Sequence, residues 1–323
     1  MEKRRFLFLS ALEILILFAS QTVYCDDNQD RWGPVTSGPF YTGTAEVEPL
    51  GSDFIEPWWF DSMRPGQNTV MQSMLQRFTV GLGRGWDFSL SIPLQYNSVA
   101  GENAFAPGDT TLWFKREIIK DANPLSFWAH PAISVEALFV LPTGQYQNLN
   151  PALKGADQTG NGTFDESLQL VFRKRFKPFA LYAQVGDYVS NPNSVPAGFG
   201  FDNGLIATPH PLTLVNGNLI NYSAALEHIL NEKWGAGYVL ELTGQTQGNQ
   251  SLFSGAANAP AWSYLWGSTS LEITWPNQDD YAVTWGAGMT FPIQQINYPR
   301  AYAPMATVTF NFMGNKGYRG QNN

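Results

Sequence analysis

Hydrophobic and polar residues alternate with a period of two along most of this chain. Trp86, Phe88, Leu90, Ile92, Leu94 and Tyr96 fall on one face of a run whose other face holds Asp87, Ser89, Ser91 and Gln95. Leu168, Leu170 and Phe172 likewise oppose Ser167, Gln169, Arg173 and Arg175, and Val308, Phe310 and Phe312 oppose Thr307, Thr309 and Asn311. Successive side chains of a strand point to opposite faces, so each run reads as a strand with one apolar and one wet side. The pattern predicts twelve strands, over 52–61, 68–82, 85–97, 108–119, 127–141, 163–176, 178–190, 217–230, 233–246, 262–275, 280–293 and 302–312.

The links between these runs alternate in length. Links 83–84, 120–126, 177, 231–232 and 276–279 are short, and those between them are mostly longer, up to the stretch 191–216. A closed antiparallel barrel with tight turns toward one compartment and loops toward another has that rhythm. Past the N-terminus, no segment approaches the roughly 18 to 20 apolar residues that a membrane helix requires. The expected fold is therefore all-β: a transmembrane antiparallel β-barrel of about 12 strands with short periplasmic turns and longer extracellular loops, in the bacterial outer membrane.

The N-terminus carries the matching address. Lys3, Arg4 and Arg5 precede an apolar run from Phe6 to Phe18, and Val23 and Cys25 suit a cleavage site, so 1–25 reads as a signal peptide cut before Asp26. Lipidation of Cys25 is disfavoured, because Thr22, Val23 and Tyr24 make a poor lipoprotein box. Segment 26–51 is expected to be a periplasmic leader or a partial plug, 52–312 the barrel, and 313–323 a periplasmic tail. Losing the signal removes the one cysteine, and with it disulfide or thiolate chemistry. Of 19 basic and 27 acidic residues it takes Lys3, Arg4, Arg5, Glu2 and Glu13, and the net charge of about −9 left behind argues against nucleic acid as a partner.

Aromatic placement is a second test of the topology. Trp86, Trp128, Phe179, Trp234, Trp275 and Tyr281 fall at the periplasmic strand ends, and Trp58, Trp59, Tyr96, Trp262, Phe291 and Tyr302 at the outer ends. Two such girdles suit headgroup levels. A soluble secreted β-rich binding protein, using its tryptophans on carbohydrate, is the alternative that such aromatic content leaves open.

Gly38-Pro39-Phe40-Tyr41-Thr42 with Glu48-Pro49, the run from Gly108 to Lys115, and the run from Pro131 to Gly144 carry a resemblance that spans most of the chain. With them the sequence resembles the outer-membrane β-barrel transporter-like family associated with meta-pathway phenol degradation. The resemblance implies a barrel that admits small, often aromatic or apolar, organic molecules, and it transfers no specific functional residue. The tail after Phe312 departs from the many barrels that end on Phe.

Charges on the predicted strands mark the wall of a lumen. Lys115, Glu117, Glu136, Arg173, Arg175, Glu227, Glu241 and Glu272 lie beside apolar neighbours, and an inward orientation spares Lys or Arg the roughly 2 to 4 kcal/mol of facing lipid at the midplane. Such mixed charge fits a cross-linked, partly closed barrel or a pore with a transverse field, and mutual pairing of the charges is the plainer alternative. The loop 191–216, with Phe199 and Phe201, is a candidate constriction.

Asp157, Thr159, Asn161 and Asp165 imitate the alternating ligands of a calcium loop, but Leu168 stands where the closing glutamate belongs, which favours a simple hairpin loop. The histidines are His130, His210 and His228, and Ser223 lies five residues from His228 on one strand, hence on the other face. No enzyme and no cofactor is expected. The expected partners are outer-membrane lipid, a small-molecule solute and, during biogenesis, the barrel-assembly machinery. The expected function is passive passage of small organic solutes. A structural or surface-recognition barrel with a closed lumen is the alternative.

Overall fold

The computed structural model describes residues 39–48, 50, 53–64, 69–121, 126–146, 148–160, 162–191, 193–195, 212–215, 218–231, 235–252, 258–277 and 281–312. The segment 1–25 read as a signal peptide, the tail 313–323 and most of the loop 191–216, Phe199 and Phe201 included, lie outside these.

The strands are β1 (Asp53–Arg64), β2 (Thr69–Gly83), β3 (Trp86–Val99), β4 (Glu102–Pro107), β5 (Thr110–Ile119), β6 (Ala132–Leu141), β7 (Asp165–Phe176), β8 (Phe179–Ser190), β9 (Asn193–Val195), β10 (Leu212–Val215), β11 (Leu219–Asn231), β12 (Ala236–Gln247), β13 (Gln250–Leu252), β14 (Asn258–Ala259), β15 (Trp262–Asn277), β16 (Tyr281–Ile296) and β17 (Ala303–Phe312). Twelve of them, β1, β2, β3, β5, β6, β7, β8, β11, β12, β15, β16 and β17, pair antiparallel with their sequence neighbours. The β1–β17 pairing closes the ring. This is the barrel that the alternation predicts.

The other strands belong to the long-loop end. β4 folds back on the outer part of β3, and β9, β10, β13 and β14 form a separate four-stranded sheet from the β8–β11 and β12–β15 connections. Arg84-Gly85 is a two-residue turn in which Gly83, Arg84 and Gly85 all have positive φ, a conformation that glycine takes without steric cost. The fifth predicted strand starts late, at Ala132 rather than at 127. Phe127 and Trp128 lie in a turn, Phe127 against the ring of Phe176, and Trp128 is 90% exposed.

Burial alternates as the sequence does. On β3, Asp87, Ser89, Ser91 and Asn97 are buried, whereas Ile92 and Tyr96 are exposed. On β12, Val239 and Glu241 are buried between the exposed Tyr238, Leu240 and Leu242. The exposed apolar band faces lipid and the buried polar set lines the interior, an inversion of a soluble core that follows from a bilayer acting as the outer solvent.

Candidate functional site: the barrel interior

Each inward residue sits opposite an inward residue of the next strand, so the wall can be read row by row. One row runs from Gln295 (β16) through Tyr264 (β15), Gln245 (β12), Asn221 (β11), Gly186 (β8), Gln169 (β7), Glu136 (β6) and Lys115 (β5) to Asp87 (β3). It passes from a ring and amides to charges. Lys115 pairs with Asp87 at 3.2 Å, with Glu136 directly opposite it on β6. Arg77, also inward, lies over the Trp113 ring at 4.7 Å.

A stretch of chain from the N-terminal side occupies the middle of this interior. Pro39 to Glu48 lies within the ring of strands and bonds to walls on opposite sides. Tyr41 N donates to both oxygens of Glu241, at 3.0 and 3.2 Å, and Thr42 donates to Oε1 through its amide and, at 2.6 Å, through its hydroxyl. Gly43 N donates to Gln184 Oε1 at 2.6 Å, and Tyr41 shares a 3.0 Å hydrogen bond with the Thr290 hydroxyl. Burial and the neighbouring Glu241 push the Tyr41 phenol up, outweighing the Thr290 contact, so it stays protonated at any physiological pH.

Farther along, Ser134 donates to the Ala45 carbonyl, and Glu46 forms ion pairs with both Arg173 and Arg175. Glu48 N reaches Asp87 at 3.4 Å. Phe40 packs on Met305, and Ala45 against Ala132 and Val171. Gly286 leaves room for Phe40, whose ring a Cβ there would approach to 3.3 Å.

The eight charges singled out in the sequence thus occupy several sets. Arg173 and Arg175 converge on Glu46, and Arg173 also lies over the Tyr182 ring at 5.3 Å. Tyr182 donates to Glu227 at 2.5 Å, which extends the chain across β8 to β11. Glu241 holds the segment, Lys115 and Glu136 sit with Asp87, and Glu272 is fully buried opposite Gly237 and Gly286. Glu117 lies half-buried at the turn end beside Arg116, and its backbone amide donates to the Gly85 carbonyl. Arg77, Asp87, Glu56 and Asp165 are further inward charges. Asp87 already falls on the wet face of its run, and the same face assignment applied to the other runs finds Arg77 and Glu56.

The outer mouth is narrowed by the loop between β6 and β7. The Asn97 amide, inward on β3, donates at 3.1 Å to the carbonyls of Ala156 and Gln158, which draws that loop over the opening. Here Asp157 accepts from Asn150 N at 2.6 Å and Thr159 donates to the Pro107 carbonyl at 2.7 Å. The hairpin thus uses two of the calcium-like oxygens itself, while Asn161 lies outside the described residues. No group of three or more His, Cys, Asp or Glu that could hold a metal occurs among the described residues.

Two further expectations meet the structure at named rings. His228 stacks on Phe179 at 4.8 Å on the outer face, away from the inward Ser223. Trp262 does not belong to the outer lipid girdle: it lies opposite Gln247, which is buried, and shares its inward face with Tyr264 and Trp266. Trp59, Tyr96, Phe291 and Tyr302 keep the exposure that a girdle needs, and the side chains of Trp58, Trp234, Trp275 and Tyr281 lie outside the described residues.

No family model matches the sequence, and no curated protein does. The fold is similar to that of solved bacterial outer-membrane barrels. The crystal structure of the COG4313 outer membrane channel from Pseudomonas putida F1 superposes with a TM-score of 0.65 at 12% identity, over 85% of this chain and 100% of that one. The NanC porin covers 79% of this chain and 98% of its own, with a TM-score of 0.41 at 10% identity. At 12% identity the likeness to the COG4313 channel is one of fold: a closed transmembrane β-barrel of the outer-membrane type.

Proposed function

We propose that this protein is an outer-membrane channel for passive passage of small organic solutes, with Pro39 to Glu48 as a partial plug. The observation that carries the reading is a closed barrel whose interior wall is mostly polar and carries ionised groups on most of its strands, joined to an internal segment by hydrogen bonds and ion pairs. A wall built only for stability would be filled with apolar side chains, because buried charges are costly unless paired and hydrogen-bonded. Lys115, Glu117, Glu136, Arg173, Arg175, Glu227, Glu241 and Glu272 are the proposed lumen lining. The family resemblance adds apolar or aromatic solutes as one cargo class.

The plug itself favours a second reading, a surface barrel with a closed lumen. Reconstitution of the mature protein into planar bilayers separates the two. A channel gives discrete current steps that grow when 26–48 are deleted, whereas a closed barrel stays silent in both forms.

A further inference from the structure

Two cations of the wall and one anion of the internal segment meet where the segment crosses β7. Arg173 and Arg175 point inward at alternate positions of that strand, and each holds a different oxygen of Glu46: Arg173 Nη1 takes Oε2 and Arg175 Nη2 takes Oε1. The arginine side chains are 12% and 11% exposed, whereas that of Glu46 is 31% exposed. The cations are sunk in the wall, and the carboxylate is the accessible member of the set.

The wall positions the arginines without neutralising them from the adjacent strands. Arg173 lies over the Tyr182 ring at 5.3 Å, and Tyr182 is tied in turn to Glu227 at 2.5 Å. Directly opposite the arginines stand Ala132 and Tyr182 for Arg173, and Ala180 for Arg175, so no carboxylate faces either from these positions. An ion pair that served only the barrel could be built between facing strands, as Lys115 and Asp87 are. Here two like charges share one strand, an arrangement that is costly unless an anion bridges them, and the bridging carboxylate belongs to a segment outside the ring of strands. Beside the pair the wall is apolar: Ala45, the residue before Glu46, packs on the buried Ala132 and Val171.

We infer that Arg173 and Arg175 form a binding site for a small organic monocarboxylate, which Glu46 fills while the segment is docked. Two guanidiniums that each take one oxygen fit the two ends of a carboxylate, and Ala132 and Val171 give a short apolar body a floor. Such a solute takes the place of Glu46, so its binding competes with docking of the segment and loosens the plug. This inference rests on the channel reading, to which it assigns a solute class.

The test titrates the mature protein in detergent by calorimetry. Butyrate is the probe, because it reproduces the Glu46 side chain from Cα to the carboxylate. Butyramide is its neutral counterpart, and inorganic phosphate is an anion without an apolar body. Butyrate should bind Glu46→Ala at least tenfold more tightly than the native protein, in which Glu46 competes for the arginines. Adding Arg173→Gln to Glu46→Ala should weaken that binding at least tenfold, the effect of losing one hydrogen bond from a charged donor. Heat-modifiable gel migration verifies that each variant is folded, and Glu46→Gln serves if Glu46→Ala is not. Equal affinity with and without Glu46, unaltered binding after Arg173→Gln, butyramide or phosphate binding as tight as that of butyrate, or no butyrate binding to the folded variant overturns the inference. Conductance in planar bilayers tests the channel separately. Current without butyrate binding removes the carboxylate site alone, and butyrate binding without current removes the channel reading alone.

Discussion

Replacing Glu241 with Gln should release the internal segment. In the native barrel this one carboxylate receives the Tyr41 amide and both the amide and hydroxyl of Thr42, with Ser268 donating to its other oxygen at 3.3 Å. The amide variant keeps the size, removes the charge and turns one acceptor into a donor facing other donors. Hydrogen bonds to charged groups contribute about 1.5 to 3 kcal/mol each, against about 1 for neutral ones. Weakening two of the segment's bonds and mismatching a third amounts to about 3 kcal/mol, or roughly a hundredfold in the ratio of released to docked segment. Hydrogen exchange reads this ratio where opening and closing are fast relative to exchange, so the Tyr41 and Thr42 amides should exchange about a hundredfold faster in Glu241→Gln. Gly43, held by Gln184 on the next wall, reports whether the segment leaves as a unit. Exchange at Tyr41 and Thr42 within about threefold of the native rate would refute Glu241 as the latch.

Further outcomes follow from the same geometry. Glu46→Gln removes the carboxylate between Arg173 and Arg175, so reversal potentials in a KCl gradient should move toward anion selectivity; an unchanged potential would place these arginines away from the ion path. Leu170→Arg puts a charge on an outward residue of β7 and should lower folding stability in lipid by about 3 kcal/mol, measured by urea titration, whereas native-like stability would mean that the strand is turned the other way. Gly288→Ala places a methyl 2.5 Å from the Thr269 carbonyl, a backbone atom that cannot swing aside, and should cost about 2 kcal/mol in the same assay. A cysteine at Ala100, in the exposed turn after β3, should react with an impermeant thiol reagent on intact cells, and one at Arg84, in a turn of the opposite end, should not; the reverse would invert the topology.

What the sequence by itself determined is the barrel: the number of strands, which side chains of each face lipid, and which end carries the long loops. These features are local, because a period of two and a turn after each run are properties of neighbouring residues, and bilayer and lumen demand opposite chemistry from the two faces. Glu241 and Gln169 could be assigned inward from their neighbours alone. The tertiary structure decided who meets whom. Tyr41 and Glu241 are 200 positions apart, and the segment around Tyr41 shows no alternation that would announce a path through a barrel. Trp262 looked like a girdle residue because a ring at a strand end suits either interface or lumen. Its even spacing from the inward Glu272 on the same strand already turns it inside, as its pairing with Gln247 bears out, and only the fold of the β16–β17 link brings Tyr298 to it. The narrowing of the mouth was likewise invisible, since it depends on Asn97 meeting the carbonyls of a loop about 60 residues away, and such long-range backbone contacts leave no periodic trace in sequence.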